Sequence, residues 1–395
     1  MISNALQDAW LLDGVRTPFG KYRGVLASLD SLQLGERAIR ALIARYPEAN
    51  TPDAALFGCV VQAGLGQNPA RIAATRAGVD PVAPALTLNA VCLASLEAVC
   101  DATRRIRGGE GHRYLVGGFD SMTRAPSIVP GELGPPHASP RSALESDGLR
   151  CALSGESMGV LSEACNRELG IGREEQDEWA VMSQQRAARS AAFREEHEIA
   201  PIETPEGVVT SDQGIRTDTT LAKVSALKAA FGDDGTITAA NASQMSDGGS
   251  AGLVVSTAEL ERAGRMPLAR IVDWGWVAGP DATLHLKPAN AIRLLLRRQN
   301  LRTSDIDLYE INEAFAGVAI ASARELGLSA DAVNVNGGAI AIGHPLGASG
   351  FRLLLTLALE MKRRNVRRGI ASLCGGGGQG MAVLIENAAF KPSRA

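Results

Sequence analysis

The sequence predicts an α/β protein assembled from two related halves, and three observations carry that prediction. Hydrophobic residues fill 45% of the 395 positions and charged residues only 21%, a balance suited to buried sheets flanked by helices. Short apolar runs alternate with longer amphipathic stretches, as strands joined by crossover helices require. The order strand, helix, strand, helix, strand, long helix, strand also occurs twice. The last step keeps its length: Cys92 to Gly117 and Ser349 to Cys374 both span 25 residues (92 to 117, 349 to 374).

Taken in order, Trp10 to Val15 reads as a strand ended by the turn Arg16-Thr17-Pro18-Phe19-Gly20. A helical pattern covers Leu29 to Ala44, Leu56 to Val61 is a strand, Ala70 to Ala77 a short helix, and Ala85 to Asn89 a buried strand. Cys92 is expected to open a helix reaching Arg107, with a strand from Arg113 to Gly118. From Phe119 to about Gly248 the character changes. Proline-bearing loops (Ala125-Pro126, Gly134-Pro135-Pro136, Ser139-Pro140) surround helical stretches, the clearest starting near Gly172 with Glu174, Glu175 and Asp177 in its first turns. Trp179 and Met182, three residues apart, are expected to face the core. This region reads as an inserted layer over the main body.

The sheet pattern resumes with strands Leu253 to Ser256 and Ala269 to Val277. Helix Ala289 to Gln299, strand Ile306 to Ile311, helix Ala314 to Leu326 and strand Val333 to Val335 follow. Helix Gly347 to Met361 and strands Gly369 to Cys374 and Met381 to Glu386 close the chain. The expected domains are residues 1–268, with the insert at about 119–248, and 269–395. Duplication places Cys92 and the loop around His344 at equivalent strand-to-helix turns, facing one pocket at the carboxyl ends of strands.

A net charge of −3 and a pI of about 6.0 give no bulk attraction to nucleic acid. Lys362-Arg363-Arg364 and Arg367-Arg368 lie at a helix end, where cations complement the dipole. Asp8 and Asp13 interrupt an N-terminus without the basic-then-apolar pattern of a secretory signal, and no apolar run reaches membrane-spanning length. Lys391-Pro392-Ser393-Arg394-Ala395 is not a peroxisomal address, so a cytoplasmic protein is expected. The six cysteines (59, 92, 100, 151, 165, 374) include no CxxC pair and read as reduced thiols, without disulfides or a metal.

Four motifs carry chemistry. Asn334 to Gly350 holds five glycines in seventeen residues, with His344 its only ionisable side chain. Cys92 stands where a strand gives way to a helix, whose first turn favours a thiolate and lowers the thiol pKa. Asn312, in Glu310-Ile311-Asn312-Glu313-Ala314-Phe315, has the same setting and could polarise a carbonyl or act as an N-cap. Cys374 precedes four consecutive glycines, whose exposed N–H groups suit a developing oxyanion. Singly, each has a plain structural reading: a packed histidine, an inert buried cysteine, a helix cap, a tight turn. Their company points to catalysis by an activated thiol.

Together these motifs resemble the thiolase family over nearly the whole chain, from Arg16 to Gly380. Gly117 to Pro126, Arg173-Glu174-Glu175-Gln176-Asp177 and Gly235 to Ser243 belong to the same likeness. The resemblance implies two duplicated βαβαβαββ halves packed as a five-layer αβαβα sandwich with an inserted loop domain. It also implies a ping-pong Claisen exchange between acyl-CoA molecules, of the kind met in fatty-acid metabolism and β-oxidation. Cys92 matches the nucleophile, His344 its base and Cys374 a second acid/base. His344 with a water on Asn312 matches one oxyanion hole; the N–H groups of Cys92 and Gly376 match the other. Ser243 and Ala242 match contacts to pantetheine, Arg216 the nucleotide end of CoA, and Leu149, Met158 and Phe315 the tunnel lining. Coenzyme A and acyl-CoA enter as substrates, with no permanently bound cofactor, and a homodimer or homotetramer is implied.

Departures from the family pattern sharpen the expectations. Ala94 and Ser95 stand where Cys-x-Ser-Gly is usual, and Ser157 stands where short-chain biosynthetic members carry histidine. Thr283-Leu284-His285-Leu286-Lys287-Pro288 replaces Met-Gly-x-Gly-Pro, which suggests a reshaped, cationic acyl pocket for a bulkier or carboxylated chain, or else a loop turned to solvent. Decarboxylative condensation is disfavoured by the second cysteine, and a non-catalytic acyl-CoA-binding subunit by the intact set of four.

Overall fold

Strand by strand, the two halves repeat one pattern in this computed structural model, which describes residues 7–129 and 139–392. The expected Gly134-Pro135-Pro136 loop and the terminal Ser393-Arg394-Ala395 lie outside the described residues. The first half contains β1 (Ala9–Arg16), α1 (Ser31–Arg45), β2 (Ala54–Gly58), α2 (Pro69–Ala77), β3 (Ala85–Leu88), α3 (Ala94–Arg107), β4 (Arg113–Ser121) and β5 (Ser246–Ser256). Between β4 and β5 lie α4 (Met158–Leu169) and α5 (Arg173–Arg189) of the inserted layer. The second half contains β6 (Ala269–Ala278), α6 (Lys287–Gln299), β7 (Leu308–Ile311), α7 (Ala316–Leu326), α8 (Leu346–Arg364), β8 (Arg368–Gly375) and β9 (Gln379–Asn387).

In the first half the strand order is β3-β2-β4-β5-β1, with β2 parallel to both neighbours and the other pairs antiparallel. The second half runs β7-β8-β9-β6 with the same sense at each step. Even the bulges correspond: register shifts between Leu11 and Asp13 in β1 and between Ile271 and Asp273 in β6. The expected strand Val333–Val335 is corrected to a single parallel bridge from Val333 to Tyr309. Asn334 adopts φ +48°, and its side-chain amide accepts from Ile311 N–H and donates to Ile311 C=O, both at 2.8 Å. One side chain thus replaces the backbone of a strand.

The halves join where β1 meets β6 antiparallel over three residue pairs, and the sheet wraps the helix pair α3 and α8. Alternation of side chains along each strand produces three cores. Leu56, Val116, Ala371 and Val383 pack inward with Leu96, Val99, Phe351 and Leu354 of the central helices. Phe57 and Leu115 face Leu32, Ile39 and Ala73 of α1 and α2, while Ile370 and Leu384 face Ile292, Leu295 and Ile320 of α6 and α7. These are the five layers the resemblance implied. The insert is anchored by a wholly buried ion cluster: Arg16 Nε to Glu198 at 3.1 Å, and Arg16 Nη1 to Asp212 at 2.7 Å. Trp179 is buried as expected; Met182 is only partly so.

The central helices meet backbone to backbone. A Cβ on Gly350 of α8 would stand 2.7 Å from Leu96 N of α3, and Ser95 Oγ accepts the Phe351 N–H across the seam at 2.9 Å. Ser95, a departure from the family pattern, is therefore a cross-half contact. Gly350→Ala should push the helices apart at a cost of about 1–3 kcal/mol, by the overpacking rule. Denaturant unfolding measures it, and unchanged stability would show that the seam is looser than described.

Candidate active site

The nucleophile candidate sits on a strained turn. Val91 is β-branched yet holds φ +52°, a left-handed conformation that typically costs about 1–3 kcal/mol. Asn89 supports the turn: its Oδ1 accepts Val91 N–H at 3.0 Å and its Nδ2 donates to Val60 O at 3.3 Å. Helix α3 begins at Ala94, so Cys92 lies two residues before it, which corrects the expectation that Cys92 opens the helix. The expected lowering of its pKa is corrected too. Burial pushes the Cys92 thiol up to about 12, although its own N–H and that of Gly376 both point at the sulfur and pull the other way.

His344 approaches from the other half. Its Nε2 lies 3.3 Å from Cys92 Sγ, and its Nδ1 lies 2.6 Å from Ser349 Oγ. The Ser349 hydroxyl donates to Pro345 C=O at 2.6 Å, so it accepts from Nδ1–H, and this assigns the lone pair to Nε2, facing the thiol. Burial, helped by the charge of Arg352, pushes the imidazole down to about 3. The resting pair is therefore a neutral thiol beside a neutral imidazole.

Asn312 comes third, with Nδ2 3.4 Å from His344 Nε2 and Oδ1 buried without a partner among the described residues. The helix it precedes is capped at Phe315, so the N-cap alternative does not apply. Cys374 ends β8 fully enclosed. Burial raises its thiol far above the ordinary value, and the nearby Cys92 sulfur raises it further. Gly377 and Gly378 follow at φ +77° and +71°, and a Cβ on Gly378 would strike Asp281 O. Glycines are required there for Gly376 to present its N–H.

Sequence reasoning missed the carboxylate that holds these loops together. Asp120 accepts Val60 N–H and Val61 N–H from the end of β2, at 3.2 and 3.1 Å, and Gly347 N–H from the first turn of α8 at 2.6 Å. It ties the His344 loop to the first half, and burial raises its pKa to about 6. A lone Asp in a glycine-rich run gave no signal of this. Ser349 was similarly silent, since only folding of the first helical turn brings it to Nδ1.

Of the expected CoA contacts, Ala242, Met158 and Phe315 share one apolar cluster with Cys374, joined by Leu284 and Phe231. Phe315 and Phe231 meet edge-on, centroids 6.2 Å apart. Ser243 N–H donates to Ala314 C=O at 3.0 Å beside them. Leu149 belongs to a different cluster, packing with Cys92 against Val60, Val61 and Leu346. Arg216 stands apart, exposed. Ser157 caps α4, its Oγ accepting Val160 N–H at 3.3 Å.

The cationic acyl pocket is corrected, and so is its alternative of a solvent-facing loop. His285 is wholly buried, its Nε2 2.7 Å from Asn166 Oδ1, and burial pushes it down to about 4, so it is neutral. Lys287 is also buried, and its Nζ donates to Gly279 C=O at 2.8 Å and pairs with Asp281 at 3.0 Å. Neither charge is free to meet a substrate carboxylate. Only Leu284 reaches the site.

A neutral pair has a kinetic signature. Between about pH 5 and 9 the rate of Cys92 alkylation by iodoacetamide should climb steadily with pH, because thiolate is scarce throughout. The expected sign follows from a thiol pKa near 12 and an imidazole pKa near 3. A plateau with an inflection near neutrality would reveal a preformed thiolate–imidazolium pair instead.

Comparison with known proteins identifies the family. A family model described as the N-terminal domain of thiolase matches residues 10–258, and one for the C-terminal domain of thiolase matches residues 265–387. A probable acetyl-CoA acetyltransferase of Mycobacterium tuberculosis is 42% identical over 391 residues, covering 95% of this chain and 98% of its own. An acetyl-CoA acetyltransferase of Pseudomonas aeruginosa is 40% identical over 391 residues, covering 96% and 99%. A probable acetyl-CoA acyltransferase of Staphylococcus epidermidis is 37% identical over 388 residues, covering 95% and 98%. With both halves matched in sequence and the two thiols, the imidazole and the amide grouped at their seam, this chain belongs to the thiolase family.

Proposed function

We propose that this enzyme catalyses reversible, CoA-dependent Claisen condensation and thiolytic cleavage of a 3-oxoacyl-CoA through an acyl-cysteine, with acetyl-CoA the acyl donor as in the names of its relatives. One observation carries the reading: a thiol 3.3 Å from the lone pair of an imidazole, with two backbone N–H groups aimed at the same sulfur.

The residue roles are part of the proposal. As Cys92 Sγ attacks the thioester carbon, its proton passes to His344 Nε2. The oxyanion rests on the N–H groups of Cys92 and Gly376 until the carbon–sulfur bond to CoA breaks. Cys374 gives its proton to the departing CoA thiolate and becomes a thiolate. That thiolate then takes the α-proton of a second acyl-CoA, whose enolate oxygen is held by His344 Nε2–H and by a water on Asn312. Losing one such donor typically lowers turnover about 10²–10³-fold. The enolate carbon attacks the acyl-cysteine, Cys92 departs, and His344 returns its proton, so every group ends as it began. Ala242, Ser243, Leu149, Met158 and Phe315 hold pantetheine and acyl chain, and Arg216 serves the nucleotide end. CoA is a substrate here and no resident cofactor takes part. Residues 1–268 and 269–395 act as the two functional halves.

A homodimer is the smallest assembly we propose. The free edge of β3 supports it, with Leu86 at 43% exposure and Val82 at 87%. A solution mass of a single 41.3 kDa chain at micromolar concentration would exclude it. Six free thiols and the absence of any helix long and apolar enough to cross a membrane, among the described residues, support a reducing, cytoplasmic location.

The division of labour between the thiols is testable by intact-protein mass spectrometry. Cys374→Ala should still accept an acetyl group on Cys92 from acetyl-CoA, while condensation and thiolysis fall by about a hundredfold or more, as loss of a general acid/base predicts. Wild-type turnover in that variant would overturn the assignment.

A further inference from the structure

Glu313 is a buried carboxylate that the proposed steps do not use, 1% exposed and one residue past Asn312 in the turn between β7 and α7. Both of its oxygens are occupied. Oε1 accepts Trp179 Nε1–H at 3.0 Å and Asn334 Nδ2–H at 2.9 Å; Oε2 accepts the Ser183 hydroxyl at 2.7 Å and Ile340 N–H at 3.2 Å. All four donors are uncharged, and they come from three segments: α5 of the inserted layer, the turn at Asn334, and the helical turn Ala339–Ile342 that leads into His344. Hydrogen bonds to a buried carboxylate are charge-assisted, stronger than neutral ones and costly to lose. The packing leaves no slack, since a Cβ on Gly338 would stand 2.3 Å from Glu313 Cδ.

These bonds converge on Asn312. Asn334 holds the residues on either side of it, Ile311 through N–H and C=O and Glu313 through its carboxylate, and Asn312 N–H itself donates to Ser372 C=O at 2.9 Å. The Asn312 side chain, by contrast, has only His344 Nε2 as a partner among the described residues, 3.4 Å away. Its position is therefore inherited from the backbone that Glu313 anchors. His344 has restraints of its own, with Nδ1 on Ser349 and its N–H shared between Ser246 Oγ and Gln244 C=O, both at 3.2 Å. We propose that Glu313 is a positioning residue: it locks the Asn312 turn against the inserted layer and so sets Asn312 opposite His344, the pair that holds the enolate oxygen.

This rests on the proposed reaction, and its two half-reactions separate the claims. Acetylation of Cys92 draws on the N–H groups of Cys92 and Gly376, whereas enolate formation draws on Asn312. With full-length protein and acetyl-CoA, intact-protein mass spectrometry follows acetyl-Cys92, and deuterium entering the acetyl group of acetyl-CoA in D2O follows the enolate. Glu313→Gln keeps the volume but turns an NH2 group toward two of the four donors. It should acetylate Cys92 within about threefold of wild type while exchange falls about a hundredfold, the usual cost of a misplaced group. Trp179→Phe and Ser183→Ala, each removing one donor on α5, should shift exchange the same way by less. Equal slowing of both half-reactions marks a merely structural role and overturns the proposal, as does wild-type exchange in Glu313→Gln. Should that variant not fold, wild-type exchange in both α5 variants overturns it in the same way, and selective loss in either upholds it. Wild-type enzyme that exchanges no α-hydrogen overturns the reaction itself before any variant is compared, and the positioning role with it.

Discussion

Two helices that touch without intervening side chains decide almost everything about this site. Where α3 and α8 cross, Gly350 leaves room only for the Leu96 amide, and Ser95 fills the remaining gap with a hydroxyl that takes the Phe351 N–H. Each helix begins just beyond a loop carrying one reactive group, so their contact sets the separation of Cys92 and His344. Asp120 reinforces it by binding the end of β2 and the start of α8 with one carboxylate. A helix N-terminus welcomes that negative charge, which explains how so enclosed an acid is retained. The seam is the device, and the reactive groups are its passengers.

Enclosure then decides ionisation. In an enclosed seam a thiolate and an imidazolium must each surrender hydration, and their mutual attraction repays this only with further hydrogen bonds in place. Here burial wins on both sides, raising the thiols and lowering the imidazole. The N–H groups of Cys92 and Gly376 do not alter that outcome at rest. They are placed for charge that appears only during reaction, which is where a preorganised donor contributes most. The Ser349 bond completes the arrangement by fixing which nitrogen keeps its proton, so that the base is correct before any substrate arrives.

The duplication and the four reactive residues were legible because periodicity and glycine-rich turns leave marks in a linear sequence. What escaped were properties of the third dimension. Cys92 was expected to open a helix because a strand gives way to one at that point, but the left-handed turn at Val91 has no reliable residue signature. The strand expected at Val333 shrank to one bridge because the side chain of Asn334 makes the ladder bonds that backbone was expected to make. Asp120 was invisible because its partners are backbone groups from distant segments, and Ser349 because only the first turn of α8 carries its hydroxyl to the His344 ring.

The segment from Asp281 to Lys287 shows why a polar residue in a loop cannot be read as a charge in a pocket. Replacing glycines with histidine and lysine near an acyl site suggests electrostatics, yet each newcomer arrives with an internal partner. His285 extends a buried network through Asn166 to Gln176 and Thr236, tying the insert to the helix behind Phe315. Lys287 clamps the chain where it passes beneath Gly378 and Gly380, whose missing side chains are what admit it. Buried polar groups are held to structure by the penalty for leaving them unpaired, so satisfied ones rigidify a wall and do not decorate it. The same rule, applied in reverse, draws attention to Asn312 Oδ1, which is buried without a partner among the described residues while its amide nitrogen stands 3.4 Å from His344 Nε2.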